Sequence, residues 1–212
     1  MTRRRALMAR VQSGGRLPFE YQEVPCIIGR GSQYIDTGYV LNSECRVQGR
    51  YDLYGTSSEF KSVFALFGSR NDRYNNAFAI FNVSAAPRVD YGNTLETHSF
   101  SYAGGNNGNV LEFDLNAGIA TVNGNTYAFA DSLKPFTCPS TAMIFAAHTG
   151  DTIDARCPRG EIVYLKITDE NGIVVRDMVP CYRKSDVKPG MYDLVGKRFY
   201  TNAGRGDFQL PT

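Results

Sequence analysis

The sequence predicts an all-β fold, a two-sheet antiparallel sandwich, on three observations. Apolar and polar residues alternate with period two along much of the chain. Asn-Gly and related turn pairs separate the alternating runs, and helical periodicity is nearly absent beyond the first dozen residues. A length of 212 residues suits one such domain, since sandwiches reach roughly 200 to 250 residues undivided. Fractions of 42% hydrophobic and 21% charged residues are those of a globular chain able to bury a core.

Taken in order, the chain opens on a basic arm, residues 1–17, which carries Arg3, Arg4 and Arg5 and reaches Ser13-Gly14-Gly15, a hinge by composition. The arm is either a docking peptide or a loose terminus. Arg10 interrupts the apolar run Ala6-Leu7-Met8-Ala9, short of the roughly 7 to 15 residues of a secretory signal. The expectation is a chain without a signal peptide, made in a cytoplasm. No run reaches the roughly 18 apolar residues of a membrane span. Residues 18–212 form the single globular domain. Its entry, Pro18 to Gly31, contains Pro25, which cannot donate to a ladder and so predicts an edge strand.

Next, Cys45, Val47, Gly49, Tyr51 and Leu53 alternate with Arg46, Gln48, Arg50 and Asp52, the pattern of a strand buried on one face. Lys61–Gly68, Ala77–Val83, Arg88–Tyr91 and Val110–Leu115 read as further strands. Leu115-Asn116-Ala117-Gly118-Ile119 and Val122-Asn123-Gly124-Asn125-Thr126 predict two tight hairpins, because Asn and Gly accept positive φ. Ala142–Ala147, Glu161–Thr168 and Ile173–Val179 complete the set, the last two joined at Asp169-Glu170-Asn171-Gly172.

Two blocks carry a resemblance. Gly31-Ser32-Gln33-Tyr34-Ile35-Asp36-Thr37-Gly38-Tyr39 forms the first. The second comprises Val179-Pro180-Cys181-Tyr182-Arg183-Lys184-Ser185-Asp186, Gly190-Met191-Tyr192-Asp193-Leu194-Val195 and Phe199-Tyr200-Thr201-Asn202-Ala203-Gly204. They resemble the opening and closing segments of jelly-roll domains, concanavalin-A-like or laminin-G-like, found in bacteriophage tail and particle proteins and related bacterial surface proteins. The resemblance spans about Pro18 to Phe208. It implies a jelly-roll sandwich in a virion, attached through the arm to other virion proteins, a role in host-surface attachment or capsid decoration, and a homotrimer if the domain belongs to a fibre. A free-standing lectin-like bacterial surface protein is the alternative it leaves open. The chain departs from the family where Gly204-Arg205-Gly206-Asp207 replaces a plain glycine turn. The Arg-Gly-Asp triplet reads as an integrin motif or, more ordinarily, as a glycine-rich turn with charged neighbours.

Composition narrows the partners. Without Arg3, Arg4 and Arg5 the basic count falls from 23 to 20 against 21 acidic residues, so the body carries no basic footprint for nucleic acid. Cys26, Cys45, Cys138, Cys157 and Cys181 lack zinc-site spacing and read as reduced, buried thiols.

The strongest enzymatic candidate is Glu112-Phe113-Asp114, whose carboxylates share a strand face as a retaining glycosidase requires. The hydrolases of this fold use Glu-x-Asp-x-Glu, and Asn116 stands third here, so no enzyme is expected. The two histidines, His98 and His148, sit in no catalytic motif. Asp151 and Asp154 fall short of the six to eight oxygens of a calcium site, so no cofactor or metal is expected.

Thirteen Tyr and thirteen Phe with no Trp make tyrosine the amphipathic ring of this chain. Arg70, Arg73, Tyr74 and Asn75 in one loop, with Tyr102, Asn106 and Asn107 in another, are the candidate ligand-binding residues. A sugar site combines ring faces with amide and guanidinium donors in this way. Turn-stabilising amides and edge-closing tyrosines are the competing reading.

Overall fold

Cys45, Val47, Tyr51 and Leu53 are buried, as the alternation predicts, and opposite them Leu111, Phe113 and Leu115 also point inward. Apart from Cys45, which precedes its strand, these residues belong to the first of two facing sheets in a computed structural model, which describes residues 15–55, 57–72, 75–104, 109–130, 134–155, 157 and 159–211. The arginines Arg3, Arg4 and Arg5 lie outside the described residues, as do Arg73, Tyr74, Asn106 and Asn107.

The first sheet has ten strands, in the order β11 (Asn125–Ala128), β10 (Ile119–Val122), β9 (Asn109–Asn116), β4 (Arg46–Leu53), β15 (Gly160–Thr168), β16 (Val174–Arg183), β17 (Lys188–Asp193) and β18 (Arg198–Tyr200). Two more, β1 (Tyr21–Glu23) and β2 (Ile27–Gly29), pair with β16 and β15. The second sheet has eight, in the order β14 (Thr152–Asp154), β13 (Ala147–Thr149), β5 (Phe64–Arg70), β6 (Asn75–Val83), β7 (Ala86–Thr94) and β8 (Glu96–Ser99). Its two remaining strands are β12 (Thr137–Ile144), which pairs with β5, and β3 (Ile35–Asn42), which pairs with β12. Pairing is antiparallel except between β13 and β5. The single helix among the described residues, α1 (Ser57–Phe60), is one turn long. The fold is the expected two-sheet jelly-roll sandwich.

Both predicted hairpins form. Asn123 and Gly124 join β10 to β11 with φ of 49° and 82°, the double positive φ of a turn whose twist matches its strands. The Asn123 side chain also fixes the hairpin to its neighbours: Oδ1 accepts from the Glu112 N–H at 2.9 Å, and Nδ2 donates to Ser101 O and Val110 O.

Two expectations need correction. The entry is not a single edge strand: Pro25 falls in a break between β1 and β2, and β2 lies between β15 and a bridge to Gln209. The predicted strand Ala142–Ala147 is divided at Phe145, whose φ of 62° turns the chain between β12 and β13.

Between the sheets lies an aromatic core. Tyr51 meets Phe113 and Phe145, and Tyr91 meets Phe78, Phe129 and Phe136. Buried hydroxyls need partners: Tyr51 donates to Leu66 O at 2.9 Å and Tyr91 to Ser43 O at 2.5 Å. A smaller cluster of Val179, Cys181 and Tyr192 is covered by Leu17 and Tyr21. Arg16 pairs with Glu23. Arg16 and Leu17, inside the segment assigned to the arm, thus contact the domain.

Candidate functional site

The two motif blocks, far apart in sequence, are laced together at one edge of the sandwich. Asn202 is the centre of the lacing. Its Oδ1 accepts from the N–H groups of Tyr34 and Gly204, each at 2.9 Å, and its Nδ2 donates to Gly206 O at 2.5 Å. Backbone bonds run from Ala203 N to Tyr34 O and from Arg205 N to Ser32 O, and Ser32 Oγ donates to Arg205 O at 3.3 Å. Gly204 must be glycine: a Cβ there would sit 2.0 Å from Ser32 O and 3.0 Å from two carbons of the Tyr34 ring. Strand β3 holds the Tyr34 end rigidly, because Ile35 and Asp36 pair with Ile144 and Met143 of β12.

Beside this lacing is an open depression of about 390 Å³, lined by Ser32, Tyr34, Ile153, Ala155, Ala203, Gly204 and Arg205. Its chemistry is mixed: an aromatic ring, three small residues, an aliphatic side chain, two hydroxyls and a guanidinium. The Arg-Gly-Asp triplet lies at its rim as a turn. Gly206 has φ of 73°, Asp207 pairs with Lys188, and Arg205 is exposed.

Of the residues singled out in the sequence, three fall within the described part. Arg70 is buried: its guanidinium bonds Asp90 Oδ2 at 2.7 Å and Thr149 Oγ1 at 3.1 Å and lies 4.3 Å over the Phe81 ring. Tyr102 packs against Phe60 and donates to Asn82 Oδ1 at 2.8 Å. Asn82 in turn donates to Phe60 O and Ser62 O, so Tyr102 closes the sandwich end. Asn75 is exposed at the start of β6. Arg70 and Tyr102 are thus committed to different partners of the second sheet, Arg70 to Asp90 and Thr149 and Tyr102 to Asn82.

The carboxylates of Glu112 and Asp114 do share the outer face of β9. Asp114 is held by Arg46, at 2.9 and 2.5 Å, and by Gln48, and Glu112 accepts from the Tyr164 hydroxyl at 3.4 Å. A second pair was invisible in sequence: Asp52 and Glu161 stand directly opposite on β4 and β15. Arg50 bonds Asp52 at 3.1 Å, and Tyr54 donates to Glu161. Burial raises the Glu161 pKa from its ordinary value, against a lowering bond from Cys26.

All five cysteines are unpaired and buried. Burial pushes Cys138, Cys157 and Cys181 up to about 12, so they are thiols at neutral pH, poor nucleophiles and poor metal ligands. His98 stacks on Tyr127 at 3.7 Å, and His148 pairs across to Ile153 at the sheet edge. Asp151 and Asp154 flank the same edge; among the described residues no three His, Cys, Asp or Glu side chains gather as a metal-binding group.

In the sequence, Ser32, Tyr34, Ala203 and Gly204 stand only as members of the two motif blocks, and Arg205 as part of the Arg-Gly-Asp triplet. The available signal was the motif pair itself, two blocks whose polar and glycine positions exceed what a strand needs. No protein-family model matches the chain, and no curated protein matches it.

Proposed function

We propose that this chain is a non-enzymatic attachment or decoration module of a bacteriophage particle, and that it binds a host-surface glycan through the depression beside Tyr34. The depression carries the reading. A ring face, small apolar neighbours and a few polar groups on a rigid frame are what sugar recognition uses, and here the frame is the doubly bonded lacing around Asn202. The particle setting rests on the motif blocks. In the same reading, Arg3, Arg4 and Arg5 dock the domain to other virion proteins, and a fibre location brings a homotrimer.

The absence of catalysis is supported by the engagement of the candidate carboxylates. Asp114 is a bidentate partner of Arg46, and a nucleophile so held is stabilised in its resting state.

The test is binding of the purified chain to a glycan array and to intact bacterial cells, with the same glycans assayed for cleavage. Binding without cleavage, lost in Ala203→Gln, is the expected result, since Ala203 is exposed and the longer side chain fills the depression. Cleavage of any bound glycan overturns the reading. For the docking arm, deletion of residues 1–15 is expected to abolish incorporation into particles while leaving the melting temperature unchanged.

A further inference from the structure

We infer that the depression beside Tyr34 selects an anionic glycan, with Arg205 as the residue that engages the acid group. The inference rests on the glycan-binding reading given above and names its ligand class.

Several cations of the neighbouring strands are engaged. Lys188 is paired with Asp207, Arg183 with Asp186, and Arg176 lies 3.7 Å from Asp193. The Arg205 guanidinium has no hydrogen bond or ion pair among the described residues, although its backbone is bonded at both N–H and C=O. The backbone is therefore fixed while the charge is left for something else. The lining contains no carboxylate to oppose it: Ser32, Tyr34, Ile153, Ala155, Ala203 and Gly204 complete the wall.

The polar groups that remain for a ligand follow by subtraction. The N–H groups of Tyr34, Ala203, Gly204 and Arg205 are spent on the lacing. Ser32 Oγ donates to Arg205 O and keeps lone pairs that accept from a sugar hydroxyl. The Tyr34 hydroxyl has no partner among the described residues. A ligand that uses this set offers a hydroxyl to Ser32, a C–H face to Tyr34 and Ile153, and an acceptor to Arg205. A neutral sugar leaves the guanidinium to water. An acid group takes it in a charge-assisted bond, roughly twice as strong as a neutral one, and an acidic pyranose presents all of these groups on one ring.

Titration calorimetry of the full chain tests this with three probes: oligogalacturonate, its carboxyl-reduced neutral form, and a glycerol phosphate oligomer. At low salt at least one anionic probe is expected to bind about tenfold or more tightly than the neutral form, weakening as salt screens an exposed contact. The two anionic arms tell a carboxylate from a phosphodiester source. Arg205→Gln is expected to bring the anionic probe down to the affinity of the neutral one at unchanged melting temperature, because that side chain holds nothing in the fold. Equal binding of the anionic probe by wild type and Arg205→Gln overturns the inference. So does neutral binding as tight as anionic binding, and if Ala203→Gln removes both, the glycan-binding reading survives. No binding of any probe, together with a blank glycan array, overturns both.

Discussion

The outer faces of the two sheets use the same chemistry at different depths. On the first sheet, Arg46–Asp114 lies across β4 and β9 and Arg50–Asp52 along β4, with side chains between 17% and 44% exposed. On the second, Asp90 is fully buried between Arg70 and Arg88, and both guanidiniums lie over Phe81. The floor around them is small: Ala65, Ala79 and Ala147 are fully buried there, and Gly68 pairs with Ala79, which leaves room for a guanidinium to lie flat. The first face is a solvated surface of an antiparallel sheet. The second is a polar layer within a buried face, and its ion pairs carry consequences that the exposed ones do not.

Asp90→Asn gives the largest effect. It removes the buried negative charge between Arg70 and Arg88, and breaking a buried pair costs about 3–5 kcal/mol. Burial raises the Asp90 pKa, and the hydrogen bonds and charges of Arg88 and Arg70 pull it back down. Urea denaturation reads this directly; a loss below about 1 kcal/mol would mean the two faces are energetically alike. Arg88→Met is milder, since Arg88 is 26% exposed and bonds Asp90 at 2.7 and 2.9 Å. Loss of a hydrogen bond to a charged group predicts about 1.5–3 kcal/mol by the same assay. Asp114→Asn on the exposed face is expected to stay within about 1 kcal/mol of wild type, and a larger loss would erase the contrast.

Smallest is Glu161→Gln. The folded chain holds the Glu161 proton more tightly than the unfolded chain does, because burial raises its pKa above 4.5. Ionised Glu161 therefore lowers stability at neutral pH, and that loss is relieved as pH falls through the raised value. The variant is expected to melt above wild type at pH 7, with the gap closing as pH approaches 4. A gap that is constant with pH would falsify the assignment.

The contrast also marks how much was legible in the sequence. The first sheet could be read residue by residue, because β4 and β9 bury one face and alternate cleanly, as in Arg46-Val47-Gln48-Gly49 against Glu112-Phe113-Asp114. The second could be read only as strands. Phe64–Arg70 is buried throughout, and a strand covered on both faces loses its period. Arg70 consequently read as a loop residue available to a ligand, when Asp90, twenty residues on, holds it down. The depression beside Tyr34 was hidden for another reason. Its parts are joined by bonds such as Tyr34 to Asn202, across 168 positions, and local patterns carry no information over that distance.

That separation also bears on how the chain is made. Among the described residues the entry strands β1 and β2 pair with β15, β16 and the segment at Gln209, and Ser32 to Tyr34 wait for Asn202 to Arg205. At synthesis rates of about 5 to 20 residues per second, the first strands emerge on the order of 10 to 30 s before the strands that receive them. Contacts of such long range also slow closure once synthesis ends. During that interval Ile27, Ile28 and Tyr34 are open to chaperones, neighbouring nascent chains and proteases, and a chain shortened at its C-terminus by a dozen residues keeps β15 and β16 for the entry strands but lacks the Asn202 and Gln209 partners of Tyr34 and Ile28.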